Sequence, residues 1–208
     1  DAFYDANLSG VGRMVVNIGD HLWVGAEVAY RIDAVDALTD ASVAAASYGE
    51  DMPVTDLAWE PMSGTLFGAA TNEVTVWEDA NLDAGDGGGV SDGSLFAGST
   101  VMAVELGANR LIAARSEEPY ISVWLDAPTV QGADSPDIQL GAASGLTGPV
   151  DLFVRGETLV VTDASGVHVW NDITAWVDDA VADTVLMETG ARESILADDG
   201  TMYVLKDD

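Results

Sequence analysis

The run Val76-Trp77-Glu78-Asp79 returns as Val123-Trp124-Leu125-Asp126 and again as Val169-Trp170-Asn171-Asp172, with the three tryptophans 47 and 46 residues apart. One period earlier the chain reads Tyr30-Arg31-Ile32-Asp33, in phase, with the aspartate kept and the tryptophan replaced. A fixed period of this size marks a stack of supersecondary units, none of which can bury its apolar face alone.

Reading outward from the tryptophans, a second element precedes each copy: His21-Leu22-Trp23-Val24, Thr65-Leu66-Phe67-Gly68, Arg110-Leu111-Ile112-Ala113, Thr158-Leu159-Val160-Val161 and Thr201-Met202-Tyr203-Val204. Another short apolar run lies upstream of each, over 14–18, 54–59, 101–106, 150–154 and 194–197. The two are joined by turns such as Gly19-Asp20, Ser63-Gly64, Gly156-Glu157 and Asp199-Gly200, which are hairpin signals. Val167 and Val169 alternate with His168 and Trp170, the period of a strand. A weaker fourth strand fits the links, as in Asp137-Ile138-Gln139-Leu140, Ser94-Leu95-Phe96-Ala97 and Asp183-Thr184-Val185-Leu186.

Four antiparallel strands per repeat make an all-β fold, a β-propeller of about five four-stranded blades. The expected organisation is a single domain, 1–208, with blades at approximately 9–36, 37–82, 83–128, 129–174, and 175–208 plus 1–8. Two alignments compete for the N-terminus. Ser9-Gly10-Val11-Gly12 mirrors Ser144-Gly145-Leu146-Thr147-Gly148, which makes Ala2 to Leu8 the start of the first blade. Phe3-Tyr4-Asp5-Ala6-Asn7-Leu8 also matches Trp77 to Leu82, which makes it the last strand of the fifth. The second would hide two sheet edges by pairing with Thr201 to Lys206 and close the ring; if neither holds, the repeats belong to a longer propeller of six blades or more.

The chain carries 36 acidic against 7 basic residues, a formal charge of -29. So negative a surface repels phosphate backbones and anionic lipids, which excludes nucleic acid as a partner and favours cations, basic proteins and salty surroundings. No cysteine is present, so thiolate nucleophiles, Cys-bound zinc and disulfides are excluded. No apolar stretch approaches the ~18 residues of a membrane span, so membrane insertion is not expected. The chain starts at Asp1 without Met, which suggests a processed product or an excised fragment; the first reading is preferred and expects export to an extracellular or periplasmic space.

The stretch Val123-Trp124-Leu125-Asp126-Ala127-Pro128 through Asp137-Ile138-Gln139-Leu140-Gly141, then Gly148-Pro149-Val150-Asp151-Leu152 and Leu159-Val160-Val161-Thr162-Asp163, resembles bacterial NHL-type propeller repeats. The likeness spans the five repeats and is close in the third and fourth. It implies a binding scaffold, since relatives of this architecture are mostly that, while a minority are lyases or lactonases using a metal and His at the axial mouth.

Candidates for chemistry are few. His21 and His168 are the only histidines and fall at different strand positions of different blades, so a packing role is expected and no catalytic residue is assigned. No Gly-x-Ser-x-Gly turn occurs. One loop, Asp79-Ala80-Asn81-Leu82-Asp83-Ala84-Gly85-Asp86-Gly87, sets oxygen ligands at positions one, three and five as a calcium loop does, which makes Asp79, Asn81, Asp83 and Asp86 the calcium candidates. Position six is Ala84 and position twelve Val90, where a calcium loop has Gly and Glu. The repeated tryptophans are expected to fill the gaps between blades, and Asp33, Asp79, Asp126 and Asp172 to cap the following turn.

The expected function is a non-enzymatic binding or structural module presenting propeller loops to a protein partner or to copies of itself. The alternatives are a metal-dependent hydrolase or lyase with an acidic axial site, and a calcium-stiffened component of a cell-surface assembly.

Overall fold

The computed structural model describes residues 14–19, 21–26, 29–32, 46–48, 53–81, 90–95 and 99–206. The first sheet is β1 (Met14–Ile18), β2 (His21–Gly25), β3 (Ala29–Ile32) and β4 (Ala46–Tyr48), paired in that order. The second is β5 (Val54–Glu60), β6 (Thr65–Ala70), β7 (Val74–Glu78) and β8 (Val90–Ser94). The third is β9 (Val101–Gly107), β10 (Arg110–Arg115), β11 (Ile121–Trp124) and β12 (Ile138–Leu140). The fourth is β13 (Pro149–Arg155), β14 (Thr158–Asp163), β15 (Gly166–Trp170) and β16 (Thr184–Leu186), and β17 (Ala191–Leu196) pairs with β18 (Met202–Lys206) as the fifth. Every pairing is antiparallel and follows chain order, which is the meander of a propeller blade. Among the described residues no helix is long and apolar enough to cross a membrane.

The tryptophan run is the third strand of its blade, so the repeat windows read from sequence end one strand before the hydrogen-bonded sheets do. Register fixes each tryptophan opposite a leucine of the second strand: Leu66 faces Trp77, Leu111 faces Trp124 and Leu159 faces Trp170. All three indoles are at most 2% exposed. Close packing on the first of them requires a glycine, because a Cβ on Gly68 would stand 2.6 Å from the Trp77 ring.

The third strands of the second, third and fourth blades pack against the preceding blade. Trp77 and Ala80 join Ile18 and Trp23, with the Trp23 and Trp77 rings 5.7 Å apart. Trp124, Ala127 and Val130 close over Phe67, Ala69, Val74 and Val76 of the second blade. Trp170, Ile173 and Trp176 do the same over Ile112, Ile121, Ile138 and Leu140 of the third. Burying a Trp of this kind removes the most apolar area any side chain offers, so these wedges carry much of the cohesion between blades. Backbone repeats with them: the N–H groups of Ala80, Ala127 and Ile173 donate to the carbonyls of Gly64, Asn109 and Glu157.

Residues 1–8, on which closure of the ring was read, lie outside the described residues, as does Asp33. The capping expectation divides. Asp172 accepts from the Thr174 N–H, whereas the Asp126 carboxylate accepts from the Asn109 side chain and caps no helical turn.

Candidate functional site: an acidic hub

The innermost strands β5, β9, β13 and β17 each carry a bulge at the same place, at Thr55, Met102, Val150 and Arg192. A bulge re-aims the residue that follows it. Those residues are Asp56, Ala103, Asp151 and Glu193, and all four line one cavity of about 380 Å³ together with Met14, Glu105 and Phe153. Five successive blades therefore contribute to a common axial space. Among its described lining residues there is no lysine, arginine or histidine.

Hydrogen bonds tie these acids across blades. The Asp56 carboxylate accepts the Val104 N–H of the third blade and the Leu57 N–H beside it, each at 2.9 Å. Asp151 accepts the Ser194 N–H of the fifth blade at 3.3 Å. The third blade has Ala103 at this place, and its acid, Glu105, stands two residues on, on the same side of the strand.

Burial governs their protonation. It pushes Asp56 up to about 6 against the opposing pull of the Val104 and Leu57 N–H groups. Burial raises Glu105 to about 7, helped by the like charge of Asp56 and then of Asp151. Asp151 rises to about 6 through burial, opposed by the Ser194 N–H and helped by Glu193 and Asp56. Near neutral pH Glu105 is thus part-protonated, and Asp56 and Asp151 take up protons as pH falls towards 6, well above the range of ordinary carboxyls.

None of these acids was singled out from the sequence. The signal lies in Thr55-Asp56-Leu57 and Val150-Asp151-Leu152, the same Asp-Leu pair after a β-branched residue two repeats apart, but it is masked by the abundance of acid elsewhere.

Of the calcium candidates, Asp79 and Asn81 are described, and Asp83 and Asp86 lie outside the described residues. Asp79 occupies the left-handed region at φ 48°, in a turn packed on Gly64. Among the described residues no group of three or more His, Asp or Glu side chains is set to hold a metal ion.

The histidines are buried, His21 on β2 and His168 on β15. His168 Nε2 lies 3.2 Å from Asp163 Oδ2 and 3.3 Å from Ser165 Oγ. The residue types are those of a serine-hydrolase relay, but a relay needs the carboxylate and the hydroxyl on opposite ring nitrogens, and here both meet Nε2. Ser165 Oγ donates instead to Asp163 Oδ1 at 2.6 Å. Burial opposes ionisation of Asp163, yet the Ser165 hydroxyl, the Thr147 and Ser165 N–H groups and His168 outweigh it and hold the carboxyl below its ordinary range. This cluster is a turn lock.

No family model matches the sequence, and no curated protein matches it. Among solved structures, the chain is similar to the β-propeller domain of Cps50 (Swd1) from Myceliophteria thermophila, at 17% identity and a TM-score of 0.66, over 96% of this chain and 63% of that one. It is similar to hydrazine synthase from Kuenenia stuttgartiensis, at 14% identity and a TM-score of 0.66, over 93% of this chain and 55% of that one. The WD40 repeats of RRP9 align at 16% identity and a TM-score of 0.55, over 77% and 44%. The chain spans less than two thirds of the length of each, and what it shares with them is the β-propeller fold.

Proposed function

We propose that the chain is a non-enzymatic binding module that presents the mouth of its hub to a basic segment of a protein partner. The observation that carries this reading is the convergence of Asp56, Glu105, Asp151 and Glu193 from four successive blades on one cavity. A cationic side chain entering the cavity relieves their mutual repulsion and lets the raised carboxyls ionise. The overall charge of -29 draws such a partner in and rejects nucleic acid. Descent from NHL-type repeats and an exported location belong to the same reading, supported by the motif around Trp124 and by the salt tolerance such a surface gives.

Calorimetric titration with an octa-arginine peptide at about 0.15 M salt tests it. The variant Asp56→Asn/Glu105→Gln/Asp151→Asn is expected to bind about tenfold more weakly than the unmodified chain. A control that removes the same charge from the surface, Glu117→Gln/Glu157→Gln/Asp198→Asn, is expected to change binding by less than about threefold. Because protons compete with the cation, binding to the unmodified chain strengthens as pH rises through about 6 to 7. Equal losses in the two variants would reduce the effect to bulk charge and sink the proposal.

A further inference from the structure

The bulged residues of the inner strands hold one place in the repeat, and one of them differs in charge. Thr55, Met102 and Val150 are neutral on β5, β9 and β13, whereas β17 has Arg192 there. In a chain with 36 acids and 7 bases, a cation at the rim of an acidic cavity runs against the composition. Other basic side chains tie neighbouring segments together: Arg110 donates to the Thr174 carbonyl, Arg155 to the Leu196 carbonyl, and Lys206 pairs with Glu188. Arg192 is exposed. It interacts within the chain as well, but a guanidinium fork carries more N–H donors than one partner uses.

Arg192 lines a second cavity, of about 450 Å³, with Val150, Ala164, Gly190 and Ala191. One residue further along the same two strands, Asp151 and Glu193 line the hub. Both cavities therefore border β13 and β17, and each strand passes from one to the other in a single step of about 3.3 Å. That shared wall is pinned from both sides. Asp151 accepts the Ser194 N–H at 3.3 Å, and the buried Thr162 and Ser194 hydroxyls are bonded at 2.6 Å. Gly190 turns the chain into β17 at φ 78°, and a Cβ built on it would meet nothing within 4 Å, so the space beside it is open. The hub presents carboxyls, while the charge that the second cavity presents is positive.

We infer that the two cavities form one dipolar site, which takes an extended segment of a protein partner carrying a basic side chain and, two residues along, an acidic one. The inference rests on the binding function proposed above and sets the sequence pattern of its partner. In extended backbone, side chains two positions apart point the same way about 7 Å apart. The basic one enters the hub among Asp56, Glu105, Asp151 and Glu193, and the acidic one meets Arg192, whose planar fork grips a carboxylate through two parallel hydrogen bonds. The opposite order is penalised at both ends, since an acid in the hub meets carboxyls and a base in the second cavity meets a guanidinium. A purely basic segment satisfies half of the site.

The probes are the peptide acetyl-Ser-Arg-Ala-Glu-Ser-amide and its counterpart with Gln in place of Glu, titrated into the full chain at about 0.15 M salt and followed by the amide NMR shifts of Ala191 to Ser194. The Glu peptide is expected to bind about five- to tenfold more tightly. The sign is diagnostic, because the chain's overall charge of -29 favours the more positive Gln peptide. Arg192→Gln is expected to abolish the preference and Arg192→Lys, which keeps the charge without the fork, to retain a smaller one; circular dichroism checks that both variants fold. Three results would overturn the inference: no shift at millimolar peptide, a preference for the Gln peptide, or a preference for Glu that survives Arg192→Gln. Octa-arginine separates this failure from that of the function beneath it. If octa-arginine still distinguishes the hub variant from the surface control while the Glu peptide gains nothing, the dipolar site alone falls; if octa-arginine does not, the binding function falls and takes the dipolar site with it.

Discussion

Asp163 sits with no exposed surface at the turn between β14 and β15, and its two oxygens gather the N–H groups of Thr147, Ser165 and Gly166. Replacing it with alanine strands these donors, two of them in a turn where glycine at φ 157° leaves no room for a bulkier rearrangement. Asp163→Ala is expected to cost about 3 kcal/mol, the scale for several lost bonds to one charged acceptor, measured by urea denaturation; a loss below about 1 kcal/mol would contradict the lock. In the sequence Asp163 only ends the apolar run Leu159-Val160-Val161-Thr162-Asp163, and nothing local marks it as a lock. Ser165 and His168 gave no hint of meeting it, because their contact depends on a tight turn that folds Ser165 back over the β15 strand.

The tryptophan strand was the most legible element, since a bulky residue with fixed spacing and strand alternation has one economical explanation in a stack of like units. Its neighbours were legible in proportion to their burial. Second strands such as Leu111-Ile112-Ala113-Ala114 and Leu159-Val160-Val161 carry continuous apolar runs, whereas β8 is Val-Ser-Asp-Gly-Ser and β16 only three residues, so the fourth strand gives a weak signal. Glutamates and aspartates on inner strands read as noise because nothing local distinguishes an acid facing the axis from one facing solvent. The tryptophan wedge permits a prediction at this scale. Trp124→Ala opens a hole between the second and third blades, where Trp124 packs with Ala127 and Val130 on Phe67 and Val76. It is expected to lower stability by about 3–5 kcal/mol, and thermal unfolding followed by circular dichroism checks it. The neighbouring contact of blades four and five adds Arg155, which donates to the Leu196 and Ala197 carbonyls and pairs with Asp198, to the apolar cluster of Val160, Val167 and Val169 with Ala191.

Viewed as a whole the molecule is a set of radial sheets whose inner strands bring like charges together, at a cost in stability that the blade interfaces offset. Asp56, Glu105 and Asp151 bind protons more tightly in the fold than their ordinary values of 3.8, 4.5 and 3.8 allow. The folded chain therefore holds more protons than the unfolded one between about pH 4 and 7, and its stability falls as pH rises through that window. Asp163 acts oppositely: its contribution is complete above its ordinary value and is lost as pH falls below it. The titration of the Glu105 side-chain carboxyl by carbon-13 NMR tests the wheel most directly, because its position depends on burial at the axis and on acids from the blades to either side. A midpoint near 7 that moves down in Asp56→Asn is the expected result. An ordinary midpoint near 4.5, indifferent to Asp56, would mean that the blades do not converge on a common hub.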